Sequence, residues 1–131
     1  MQKLVTTFMI LTLALFLGRC ATAAAEPATG GSGTVASVPA GAVQVDAKDI
    51  SFVQKAVAAP AGQAFSLYFT NHDSAPHNVS ISARADGSNP VFTGEIFANG
   101  QRVYQVPALA AGTYHFHCDV HPDMSGTLVV K

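Results

Sequence analysis

From Ala42 onward, apolar and polar positions alternate in short runs: AVQVDA, ISFV, AFSLYF, HNVSIS, RVYQV, TYHFHC and GTLVV. A period of two sends successive side chains to opposite faces, so each run predicts a strand with one buried face. Between them stand PAG, NHDSAP, ADGSNP, ANGQ and AAG, whose Gly, Pro, Asn and Asp supply turn conformations. No segment sustains a 3.6-residue apolar period with caps, which limits helix to one short turn. Seven or eight short strands at this spacing predict an all-β chain, a Greek-key β-sandwich. Phe65, Tyr68, Phe69, Tyr114 and Phe116 are expected to pack, and the glycines of ANG, AAG and SGT to serve turns.

The pattern changes before Ala42. Lys3 precedes an apolar run from Phe8 to Leu17, and ATAAAEP then offers small residues for cleavage. Residues 1–25 therefore read as a signal peptide cleaved after Ala25, because the run is short for a membrane span of about 20 residues. LFLGRC resembles a lipobox, but Arg19 stands where a small residue is needed, so lipid anchoring at Cys20 is disfavoured. Residues 26–41, rich in Ala, Gly, Pro, Ser and Thr, read as a flexible leader that would also serve as a membrane tether. Residues 42–131 form the domain, and the expected location is periplasmic or cell-surface in a bacterium. The chain has a net charge of −1, and cleavage removes Lys3 and Arg19, leaving it more acidic. A mildly acidic chain without a basic run argues against nucleic acid as a partner.

Cleavage would leave Cys118 as the sole cysteine and Met124 as the sole methionine, so no disulfide can form within the mature chain. An unpaired thiol in an exported protein needs another occupation. It lies in YHFHCDVHPDM, where alternation turns Tyr114, Phe116 and Cys118 inward and His115 and His117 outward, as surface strand histidines. A soft thiolate, two imidazoles and a thioether suit a copper ion cycling between Cu(I) and Cu(II). Cys118, His121 and Met124, spaced C-x2-H-x2-M, supply three of these, and a tight turn can bring them around one point. His72, His77, His115 and His117 are candidates for the fourth donor. His77, in SAPHNVSIS, is the best placed, just ahead of a β-branched strand and after a stiffening proline.

PHNV upstream of FHCDVHPDM, with GTY before and GTLVV after, resembles the cupredoxins, the type 1 or blue copper proteins. The likeness runs from about Ala42 to Lys131. Its ligand loop is similar to that of the amicyanins and shorter at the second gap than that of the plastocyanins. The resemblance implies His77, Cys118 and His121 as near-trigonal ligands of one copper ion and Met124 as a long axial one. It also implies that Asn78 ties the histidine segment to the cysteine loop around that centre. The edge of His121, rimmed by Ala75, Pro76 and Pro122, would be the electron port. Asp119 and Asp123 beside it would favour a basic partner such as a cytochrome; a dehydrogenase is the other expected kind.

The expected function is single-electron transfer between redox proteins by a monomer. Copper storage or delivery through the same site is the competing class; the chain lacks the Met cluster that such sites favour. Catalysis as in copper oxidases is not expected, since it requires a second domain and further copper ligands, and a binuclear centre requires a second loop cysteine.

Overall fold

The computed structural model describes residues 37–131. The proposed signal peptide and residues 26–36 of the leader lie outside the described residues. Eight strands follow in order: β1 (Val43–Ala47), β2 (Ala56–Ala59), β3 (Phe65–Asn71), β4 (Ser80–Ser82), β5 (Pro90–Thr93), β6 (Gly100–Val106), β7 (Gly112–Cys118) and β8 (His121–Val130). Among the described residues no helix is long and apolar enough to cross a membrane.

The strands form two sheets, β1-β3-β6 and β2-β8-β7-β4-β5. β1 runs parallel to β3, and β2 parallel to the C-terminal end of β8, Ala56 facing Thr127 and Ala59 facing Val130. The remaining pairs are antiparallel, and the chain crosses repeatedly from one sheet to the other, giving the β-sandwich that the alternation predicts. Between the sheets lies an aromatic column. Phe52 meets Phe116 edge-on at 5.0 Å and Phe69 at 6.2 Å, while Phe69 meets Phe97 at 5.5 Å. Edge-to-face rings of this kind add to the burial of their large apolar area.

The differences from the alternation pattern have physical causes. ISFV is no strand: Asp49 and Ile50 take φ of 53° and 55°, and only Phe52 bridges back to Ala47. That turn exposes Ile50 and Val53 while burying Phe52. The second strand is instead AVAA, whose alanines carry little β preference and pair because β8 offers an edge. PVFT was hidden by its leading proline, which an edge strand tolerates. Gly126 of SGT lies within β8 rather than in a turn, directly opposite Phe116. Gly112 likewise opens β7.

Candidate metal centre

β7 delivers the thiol. Phe116 and Cys118 are each 1% exposed, and His115 and His117 take the opposite face. That face is half-buried rather than open, because the β4–β5 connection folds over it with Gly87 against the His117 ring. Asp119 and Val120 then turn the chain so that Cys118 pairs with His121 at the start of β8. The register jumps here: Ser125 faces His117, so Pro122, Asp123 and Met124 have no partners across the ladder and bulge out of it. The bulge turns Met124 inward, to 1% exposure, in the same apolar cluster as Cys118.

His77 comes from the other side of the centre, ahead of β4. Its backbone is clamped to Phe97 by two hydrogen bonds, His77 N–H to the Phe97 carbonyl at 3.0 Å and Phe97 N–H to the His77 carbonyl at 3.1 Å. Asn71 holds the approach, donating through Nδ2 to the carbonyls of Ala75 (2.9 Å) and Phe97 (2.8 Å). Among the described residues, His77, Cys118 and His121 are the group of His, Cys, Asp or Glu donors able to hold one metal ion, their donor atoms within 4.8 Å of one another. Cys118 Sγ is 3.7 Å from His77 Nδ1 and 3.6 Å from His121 Nδ1. Metal–nitrogen and metal–thiolate bonds of about 2.0–2.3 Å, splayed at 120°, separate their donor atoms by about 3.6–3.8 Å. Both sulfur–nitrogen edges therefore match a single bound ion, the third edge closes within 4.8 Å, and the mixed thiolate–imidazole set suits copper.

Around these donors lie groups that orient them. Asn78 is fully buried and joins the His77 segment to the Cys118 turn in both directions. Its Oδ1 accepts from the Asp119 N–H at 2.9 Å, and its Nδ2 donates to Asp119 Oδ2 at 2.6 Å and to the Gly94 carbonyl at 3.0 Å. Asp119 also accepts from Ser80 Oγ at 2.8 Å and lies 3.2 Å from His117 Nε2. Its carboxylate thus serves three side chains behind the turn while staying exposed at the surface, as does Asp123 on the bulge. Asp119→Ala would strand the fully buried Ser80 hydroxyl and half of the Asn78 amide. Leaving such buried groups unpaired costs about 1–3 kcal/mol. The expected result is a lower denaturation midpoint in the copper-free protein, read by circular dichroism.

Asp73, which the ligand spacing does not single out, stands beside His77. Its Oδ2 lies 3.0 Å from His77 Nε2, and the carboxylate also accepts from the Asp49 and Ile50 N–H groups at 2.9 and 3.0 Å. The Ile50 N–H is the largest influence holding the Asp73 carboxyl below the usual carboxylate range; the Asp49 N–H and His77 add to it, against burial. The available signal was a carboxylate four residues before a candidate ligand histidine, but in NHDSAPH it reads equally well as a turn residue. Of the other candidates for the fourth donor, His72 is turned to solvent 3.4 Å from Asp46, and neither His115 nor His117 belongs to the donor group.

The family model of the cupredoxin-like domain matches residues 7–130. With this fold and this donor set, the chain belongs to the cupredoxins; it is a blue copper electron-transfer protein, and its cofactor is one copper ion. Among its relatives are amicyanins. Amicyanin of Paracoccus versutus is 32% identical over 96 residues, covering 73% of this chain and 70% of that protein. Amicyanin-alpha of Methylorubrum extorquens is 33% identical over 109 residues, covering 83% and 88% respectively. A point mutant of amicyanin, solved in its Cu(I) form, superposes with a TM-score of 0.62 at 29% identity, over 79% of this chain and 95% of that one.

Proposed function

We propose that the protein is an exported, mononuclear type 1 copper carrier that passes single electrons between redox proteins and catalyses no reaction of its own. Its ligands are His77, Cys118 and His121, with Met124 as the weak fourth. The observation that carries this reading is the Cys118 thiol held 3.6 and 3.7 Å from two imidazole nitrogens, the sulfur–nitrogen spacing of one bound ion. Copper supplies a one-electron couple when bound. The protein supplies fixed donors: His77 is clamped at its backbone and fully buried, and Cys118 is closed inside the sandwich. Ligands that cannot move keep the same positions in both oxidation states, so little reorganisation opposes electron transfer.

His121 is the outlet. It is half-buried at the start of β8, while Pro76, Val120 and Pro122 are exposed. We assign docking of a cytochrome or a dehydrogenase to the surface near His121, Pro76 and Pro122, with the protein acting as a monomer. Export rests on the sequence of residues 1–25, to the periplasm or the cell surface of a bacterium, with lipidation at Cys20 disfavoured.

Adding Cu(II) to the purified protein tests the proposal. The expected result is an intense visible band with a narrow copper hyperfine splitting in the paramagnetic resonance spectrum, both vanishing on one-electron reduction. A colourless protein that prefers Cu(I) and yields it to a chelating acceptor would instead identify a copper-delivery protein.

A further inference from the structure

We propose that Asp73 is the positioning residue of the centre: its carboxylate dictates which nitrogen of His77 carries the proton, and the turn after β1 holds that carboxylate in place. An ionised carboxylate only accepts hydrogen bonds. At 3.0 Å from Asp73 Oδ2, His77 Nε2 must therefore be the donor. The lone pair is then left on Nδ1, the atom 3.7 Å from Cys118 Sγ. The His77 side chain is 0% exposed, so with Asp73 in place solvent does not compete for this hydrogen bond.

The carboxylate is fixed in turn by a strained support. Lys48 and Ser51 close the turn with reciprocal backbone hydrogen bonds, and between them Asp49 and Ile50 sit in the left-handed region. For a β-branched residue such as Ile50 this conformation is unfavourable and persists only where the surroundings enforce it. Here it aims two consecutive N–H groups at Asp73, one at each oxygen. The Asp73 backbone is held as well, its N–H donating to Asn71 Oδ1 at 2.8 Å and its carbonyl accepting from the Asn99 N–H at 3.0 Å. A surface turn and a buried ligand thus share one anion. Partners of this kind set the orientation and basicity of a ligand histidine.

The inference rests on His77 being a copper ligand, so its test includes His77→Gly. Nitrogen-15 spectra of the copper-free protein should show His77 in the Nε2–H form alone. In Asp73→Ala that preference should disappear, and Cu(II) affinity should fall about 10–100-fold, the usual cost of losing such a partner. Asp73→Asn removes the charge and the bond from the Asp49 N–H to Oδ1 but can keep the bond to His77. With its oxygen in the Oδ2 position it still accepts from Ile50 and His77, so the tautomer should persist while the reduction potential rises, because a negative charge that favours Cu(II) is gone. Asp73→Ala with an unchanged tautomer and affinity, and only a lower denaturation midpoint, would overturn the proposal and leave Asp73 a turn residue. A blue band that survives His77→Gly would instead overturn the ligand assignment beneath it.

Discussion

Replacing Cys118 by serine is expected to abolish the intense visible band and the narrow hyperfine splitting while leaving the sandwich folded. The colour requires a soft thiolate, whose charge spreads onto the metal; a serine hydroxyl stays protonated at neutral pH and is a poor ligand for copper. The substitution is close to isosteric, at a position 1% exposed. The new hydroxyl would lie where Sγ now sits, between the two imidazole nitrogens at 3.6 and 3.7 Å. At those separations it stands beyond hydrogen-bond reach of either nitrogen and is paired only where an imidazole closes in on it. Circular dichroism of the copper-free variant should match that of the parent, and its stability should fall by no more than the about 1–3 kcal/mol that one unpaired buried hydroxyl costs. Titration with Cu(II) should give weak, nearly colourless binding. An intense band in the serine variant would mean that the colour does not arise at Cys118 and would overturn the assignment of its thiolate as a ligand. Unfolding of the variant would be a different failure, visible without copper, and Cys118→Ala would then separate loss of the ligand from loss of packing.

The part of this centre that the sequence made legible is the part governed by local rules. Strand alternation turned Cys118 inward together with Phe116, and both are buried. The short gap to His121 brings two donors to one place because a two-residue turn pairs position 118 with position 121. His77 lies on a separate segment, and its selection over His72 depended on the neighbouring proline and β-branched strand. What remained hidden depends on contacts between distant segments. Nothing local to Asp119 shows that its carboxylate will serve Asn78, Ser80 and His117 behind the turn; as an acidic residue beside a ligand it reads as surface charge. Nor does Asp73 announce a role, since its other partners, Asp49 and Ile50, come from a turn that the alternation of ISFV disguised as a strand. The alanines of β2 and the proline of β5 hid two edge strands for the complementary reason: pairing came from the neighbouring strand, with no help from intrinsic propensity.

Gly126→Ala should be the most destabilising single-methyl change in the domain. Gly126 faces Phe116 across β7 and β8, and a methyl group there would stand 2.2 Å from Phe116 Cζ and 2.7 Å from both Cε atoms. Its backbone angles are not the obstacle, since Gly126 is absent from the positive-φ residues. The obstacle is space, and the ring cannot readily yield: Phe116 is 1% exposed and held edge-on against Phe52, which is itself packed on Phe69. Forcing a methyl into a packed core costs typically about 1–3 kcal/mol and sometimes more. Because the contact falls on an immobile ring, the upper end is expected. For a domain of this size each kcal/mol lowers the midpoint by roughly 4–8 °C, so thermal denaturation of the copper-free protein should shift down by more than about 10 °C. The effect should reach the metal as well, because Phe116 and Cys118 occupy the same face of β7 two positions apart, and a displaced ring pulls the thiolate off its place between the imidazoles. A shifted visible band in the copper-loaded variant reads that displacement. Phe116→Leu tests the cause, since a smaller side chain makes room for the methyl. The double variant should be more stable than the sum of the two single losses predicts, as expected for residues in direct contact. Additive losses would mean that the methyl is accommodated elsewhere, and that Gly126 is required for something other than the ring it faces.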